Sequence, residues 1–277
     1  MALNGLNLFY KKTEINNIEQ LLNCYSSHEF LSPFRSTIPL IHQLFYNLDT
    51  IKQIIPNLES YIFELEYETK VQKGKGRASC TDLMVYNQNK AFCIEAKRTE
   101  PLYSNVNRWL SEGESLENRK LVLSGWLELI NNRCGTTIQI PDVLDCTYQI
   151  IHRFASACNM SGNTELNYYL YNSKNDLDNQ DIYQKELIGL RKLFGNSVPI
   201  RLYIFNLFPN KLYSRVIIDS PKYSNSSKWI VEYDYEPETL SDGVITKGKI
   251  TYLKDSNNNV AYYDFKNIKS RRYKKAL

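Results

Sequence analysis

The chain has 277 residues, 43% hydrophobic and 23% charged, with a formal net charge of +4 and a pI near 8.5. That composition suits one large folded domain, or one domain with an appendage, and a mild basic excess that tolerates a polyanionic partner without requiring one. No apolar run approaches the ~18 residues of a helical span. The opening MALNGLNLFYKK lacks the pattern of a secretory signal, so a cytoplasmic protein with no membrane association is expected.

Residues 14–27 and 36–50 read as helices; in the second, Ile38, Ile41, Leu44, Phe45 and Leu48 recur at helical spacing and Pro56 ends the region. Residues 60–69 alternate, with Tyr61, Phe63, Leu65 and Tyr67 on one face and Ile62, Glu64, Glu66 and Glu68 on the other, a strand with a largely acidic face. Lys73-Gly74-Lys75-Gly76-Arg77 reads as a flexible basic turn, and two further strands lie within TDLMVYNQNKAFCIEAK, residues 81–97. A polar segment follows Pro101. A helix over 115–132 has Ser115 as its N-cap, and another over 142–159 carries the apolar stripe Val143, Thr147, Ile150, Ile151, Phe154 and Cys158. Residues 161–179 read as polar and irregular, and 180–194 as a helix. IRLYIFNLF, Ile200–Phe208, is the continuous apolar run of a strand buried on both faces. From Tyr213 short strands alternate with turns as far as the basic tail Lys269–Lys275. The order predicts an α/β core over 1–208, a mixed central sheet flanked by helices, and a β-rich C-terminal extension over 209–277.

Six dispersed cysteines without a C-x-x-C pair and three scattered histidines argue against structural zinc and suit a reducing compartment. No G-x-S-x-G occurs, and the basic turn is not a phosphate-binding P-loop.

The hairpin carries the chemistry. With Gln88-Asn89 as a two-residue turn, Asp82 falls opposite Glu95, their Cβ atoms roughly 5 Å apart. Lys97, two residues beyond Glu95, shares their face. The reverse face carries Leu83, Val85, Phe92, Ile94 and Ala96. Two carboxylates so close repel unless something positive joins them, and a hard divalent cation is the natural occupant. The lysine is then placed to orient a water or offset a phosphate charge.

This D-x12-E-x-K arrangement, with the order helix, three strands, helices and buried strand, resembles the PD-(D/E)xK nuclease superfamily, over roughly residues 36–208. EAKRTEP and YQIIHR also resemble segments of uncharacterised bacterial restriction-endonuclease-like proteins. Thr81 stands where a proline often precedes the first acid. The resemblance implies a restriction endonuclease-like core and Mg²⁺, replaceable by Mn²⁺, held by Asp82, Glu95 and the Ala96 carbonyl, with Lys97 assisting the nucleophile. It also implies phosphodiester hydrolysis of nucleic acid, double-stranded DNA ahead of RNA, by a bacterial endonuclease of restriction or defence type that could act as a homodimer. Superfamily members often add an acid from an earlier element, for which Glu64 or Glu66 is available, and a glutamine from the following helix, for which Gln149 is available.

His152 and Arg153, on the same polar stripe as Asp145, Gln149 and Ser156, could reach a phosphate, or the stripe could be a solvated helix face. Lys73, Lys75 and Arg77 could grip a nucleic-acid backbone. The alternative is a catalytically silent nucleic-acid-binding or interaction protein retaining the fold. If the chain is a purely structural module instead, the hairpin charges should be satisfied by arginine or lysine in place of metal.

Overall fold

The computed structural model describes residues 5–25, 35–46, 48–98, 100, 102–112, 115–173, 178–207 and four short strand segments between 215 and 250. In chain order the elements are β1 (Asn7–Tyr10), β2 (Thr13–Glu14), α1 (Ile18–Cys24), α2 (Thr37–Tyr46), α3 (Leu48–Ile54), β3 (Ile62–Thr69), β4 (Ser79–Tyr86) and β5 (Lys90–Lys97). They continue with α4 (Val106–Ser111), α5 (Leu116–Cys134), α6 (Tyr148–Cys158), β6 (Asn163–Ser173), α7 (Asp178–Phe194) and β7 (Ile200–Leu207). Four short strands close the series: β8 (Arg215–Val216), β9 (Lys228–Trp229), β10 (Pro237–Thr239) and β11 (Ile245–Ile250).

One mixed sheet runs in the order β10-β11-β7-β6-β5-β4-β3-β1-β2, while β8 and β9 pair separately. β3, β4 and β5 form an antiparallel meander. β6 then adds parallel to β5, and β7 parallel to β6. Parallel neighbours need a crossover, and α4–α6 supply the first one. Two apolar layers sandwich the sheet. On one face Leu40, Ile41 and Leu44 of α2 and Ile51 of α3 pack on Phe63, Leu65, Leu83, Val85, Phe92 and Ile94. On the other, Leu123 and Trp126 of α5, Ile150 and Phe154 of α6 and Leu187 of α7 cover Met84, Cys93, Leu166 and Leu170. Both faces of the central strands are thereby removed from water, the main source of stability in such a fold.

The sequence-based outline needs correction at several points. β1 and β2 were not expected. The helix expected over 14–27 is confined to Ile18–Cys24, where the Asn17 side chain caps it by accepting from the Gln20 amide. The polar segment after Pro101 contains α4, capped by Asn105. The largest difference is 161–179, which is not irregular but holds the eleven-residue β6. Leu166, Tyr168 and Leu170 fill one apolar layer and Tyr169 and Tyr171 the other, so this strand is buried on both faces with tyrosines on each. In β3, Tyr67 does not share the face of Phe63 and Leu65; it packs in the opposite layer, edge-on to Tyr86. The cause is Glu66, whose φ of 53° breaks the strand alternation.

The basic turn is not a free loop. The Asn118 side chain of α5 accepts from the Lys75 amide and donates to the Lys75 carbonyl, both at 2.7 Å. Gly74, at φ 73°, sits so close that a Cβ would lie 3.0 Å from Asn118 and Val122. In the C-terminal region, β11 extends the central sheet parallel to β7. The end of the expected β-rich region, from residue 251, and the basic tail lie outside the described residues. Among the described residues no helix is long and apolar enough to cross a membrane.

Candidate active site

The β4–β5 hairpin has the expected register, with Leu83 opposite Ile94, Met84 opposite Cys93 and Tyr86 opposite Ala91. Its turn lacks glycine, and Asn87 compensates. The Asn87 side-chain oxygen accepts from the Asn89 and Lys90 amides, both at 2.9 Å, an Asx-type turn, while the Asn87 amide donates to the Lys90 carbonyl at 2.9 Å.

At the far end the regular pairing stops after Leu83–Ile94. Asp82, one residue further, places its Oδ2 2.7 Å from the Ala96 amide, filling with a side chain the gap where a backbone partner would lie. On its other flank the β3–β4 pairing skips the level of Glu66 and Asp82, then resumes at Tyr67–Thr81. A left-handed φ on a non-glycine residue costs on the order of 1–3 kcal/mol and tends to mark functional positions. Here it falls beside Asp82.

Glu95 is the hub. It is fully buried, with Arg153 Nε 2.5 Å from Oε2, Lys97 Nζ 2.7 Å from Oε1 and Gln149 Nε2 3.2 Å from Oε1. The Lys97 and Arg153 side chains are each 10% exposed. The inward face of α6 continues the network: Arg153 donates to the Ser79 hydroxyl at 2.8 Å, Ser156 donates to it at 3.1 Å, and His152 Nδ1 lies 2.8 Å from it.

The charges divide between the two acids. Burial, reinforced by the Glu95 charge, pushes the Asp82 carboxyl well above the usual range. Burial also opposes ionisation of Glu95, but Arg153 and Lys97 outweigh it and hold that carboxyl below its ordinary value. For Lys97 burial works against the charge, yet Glu95 and then Asp82 hold the ammonium form. Burial, with Arg153 and Lys97 nearby, drives His152 well below the usual imidazole range. The two acids are thus pushed in opposite directions, Glu95 towards ionisation and Asp82 away from it, beside two cations and an imidazole whose protonation is disfavoured, the divided-acid pattern found at many catalytic sites.

Asp82, Glu95, Lys97, Gln149, His152 and Arg153 thus belong to one cluster. Of the two candidate acids on β3, Glu66 lies level with Asp82 and raises its pKa. Glu64 is engaged elsewhere, accepting from the Lys12 amide and the Tyr86 hydroxyl, both at 3.1 Å. Asp145 is exposed and outside the cluster. Lys73 turns to Glu128 at 2.9 Å, whereas Lys75 and Arg77 line a cleft beside α6. Two participants were missed, and Ser156 was placed on the polar stripe without a role of its own. Ser79 carries no motif. Tyr168 faces Glu95 across the β5–β6 register, its hydroxyl buried without a partner among the described residues; the NYYLYN pattern would have revealed it had β6 been recognised.

Among the described residues no group of three or more His, Cys, Asp or Glu is arranged to hold a metal ion. The site offers two carboxylates, and Mg²⁺ usually takes only one or two from protein and keeps its waters. An ionised carboxylate has about four acceptor positions. Three donors meet Glu95 and one described donor meets Asp82, so both retain capacity. The Ala96 carbonyl shares a strand edge with the amide that Asp82 accepts. This oxygen-only set fits a hard divalent cation.

The chain belongs to the family described as a domain of unknown function, DUF6946, whose model matches residues 12–176. That span contains every residue of the Glu95 network. No curated protein and no solved structure matches the chain.

Proposed function

We propose that this protein is a divalent-cation-dependent nuclease of the PD-(D/E)xK type, hydrolysing phosphodiester bonds in double-stranded DNA inside the bacterial cytoplasm, as a restriction or defence enzyme. The observation that carries the reading is the junction of Asp82, Glu95 and Lys97 where β4 and β5 part, with Gln149 reaching Glu95 from the following helix. The succession of N-terminal helices, β3-β4-β5, α5-α6 and β6 supports a restriction endonuclease-like core.

Asp82, Glu95 and the Ala96 carbonyl would hold Mg²⁺ or Mn²⁺, with Glu66 the nearest further acid. Such an ion supplies charge for the phosphate and acidifies a water. Asp82 would hold such an ion as the carboxylate, because ligands must be deprotonated. Lys97, kept cationic by Glu95, presents an ammonium to the phosphate and orients the attacking water. Gln149 fixes the Glu95 rotamer, and Arg153 balances its charge when the site is empty. A homodimer would bring two such sites to the two strands of a duplex.

A second reading, a catalytically silent nucleic-acid-binding or interaction protein, is favoured by one observation: both Glu95 oxygens are already paired with Arg153, Lys97 and Gln149, the arginine and lysine pairing expected of a structural module. The two separate on incubating plasmid and oligonucleotides with Mg²⁺ or Mn²⁺ beside Asp82→Ala and Lys97→Ala. Cleavage abolished by both substitutions supports the nuclease. Cleavage unaffected by either refutes this site, and binding without cleavage by the wild type selects the second reading.

A further inference from the structure

Beside the carboxylates, across Ser79 and His152, lies a cleft of about 500 Å³, within the usual range for small-ligand sites. Its lining contains Lys75, Arg77 and Arg119 and no aspartate or glutamate. Lys75 and Arg77 are exposed and make no ion pair among the described residues, while Asn118 fixes the backbone that carries Lys75.

The aromatic wall is built rather than incidental. Trp109 and Tyr148 stack at 3.6 Å and 9°. Arg119 lies 4.8 Å over the Trp109 ring and donates to the Trp109 carbonyl, and Trp126 Nε1 donates to the Tyr148 hydroxyl at 3.3 Å. Tyr103 stands apart: 65% exposed at the cleft, it has no ring or hydrogen-bond partner among the described residues. A free aromatic face beside unpaired cations, with no acid to repel an anion, matches the stacking platform and charged groove that hold single-stranded nucleic acid.

We propose that this cleft binds a nucleotide unit of a single strand, with the base stacked on Tyr103 and the adjoining phosphate held between Lys75 and Arg77. The inference rests on the nucleic-acid reading of the neighbouring site but departs from its double-stranded substrate, since this cleft takes an unpaired strand, and it does not require that site to cut. A nucleotide held here is joined to the Glu95 network through Ser79, which bonds both His152 and Arg153. The strand is thereby presented unpaired at one wall of the candidate active site.

Fluorescein-labelled dT12, rU12, a 12-base-pair duplex and free thymidine monophosphate are titrated into the full-length protein in EDTA, where no cleavage can occur. The expected result is tighter binding of dT12 or rU12 than of duplex. Tyr103→Ala weakens it about tenfold, in line with about 1–3 kcal/mol per stacked base, and Tyr103→Phe restores it. Lys75→Ala/Arg77→Ala reduces the salt slope by about 0.7, the value for the one phosphate they hold on a single strand. Tight binding of thymidine monophosphate alone would identify a free nucleotide as the ligand and overturn the strand assignment. The proposal is also overturned if no probe binds, or if Tyr103→Ala and the double substitution leave dT12 and rU12 affinities unchanged in protein of wild-type Tm. Because these titrations run in EDTA, strand binding that depends on Tyr103, Lys75 and Arg77 stands even where the Mg²⁺ assay shows no cleavage, whereas cleavage abolished by Asp82→Ala with no strand binding in EDTA overturns the cleft alone.

Discussion

Glu95→Gln tests whether the buried charge cluster is organised as described. The substitution keeps the shape and one acceptor oxygen but removes the anion that two cations share, Arg153 at 2.5 Å and Lys97 at 2.7 Å. At an effective dielectric of about 20, each such pair is worth about 4 kcal/mol at a charge separation near 4 Å, and removing one partner of a buried pair costs about 3–5 kcal/mol. Asp82 offsets part of the loss: burial still raises its pKa, but without the Glu95 charge its ionisation becomes easier and supplies part of the missing counter-charge. A net destabilisation near the lower bound, about 3 kcal/mol, is expected at pH 7. At about 2–4 °C per kcal/mol for a domain of this size, Tm falls by about 6–12 °C. Thermal unfolding followed by tryptophan fluorescence in EDTA measures it. A fall of less than about 2 °C would refute the network.

Asp82 and Gly162 give two further expectations. Because the folded-state pKa of Asp82 is raised, the unfolded chain loses this proton first, near pH 4. Stability is therefore undiminished below that point and declines as pH rises towards the folded pKa. In EDTA, Asp82→Asn should have a higher Tm than wild type at pH 7 and equal it near pH 4; a lower Tm at both pH values would overturn the assignment. Gly162 has φ 71°, and a Cβ there would collide with the Asn89 carbonyl of the hairpin turn. Gly162→Ala is expected to cost more than 2 kcal/mol through strain and displacement of that turn, and a Tm within about 2 °C of wild type would contradict the contact.

The hairpin was legible because two local rules coincide in it. Strand alternation set Asp82, Glu95 and Lys97 against an apolar reverse face, and the turn set the register. Those rules depend on near neighbours in the chain, as does the cap at Ser115; the caps at Asn17 and Asn105 are equally local but went unread. Most of what escaped depends on long-range packing. β6 is rich in Asn and Tyr, and only its place between β5 and β7 turns those residues into core. The polar stripe of α6 has the same spacing whether it faces water or Glu95, and the sheet beneath it decides. Tyr67 changed sides because Glu66 takes a conformation that no alternation rule contains. Asn118 holds the Lys75 loop from a helix begun four dozen or so residues downstream of β3, a pairing with no local signature.

The carboxylate that plugs the gap between β4 and β5 gives the sheet a second duty. Asp82 completes the Ala96 amide only while it points along the strand edge, and any ligand that draws it away leaves that amide without its partner. A ligand that takes Oδ2 competes with closure of the ladder for one atom, whereas one that takes Oδ1 leaves the ladder closed. Exchange of a single backbone proton, at Ala96, becomes a local gauge of whether Oδ2 is taken.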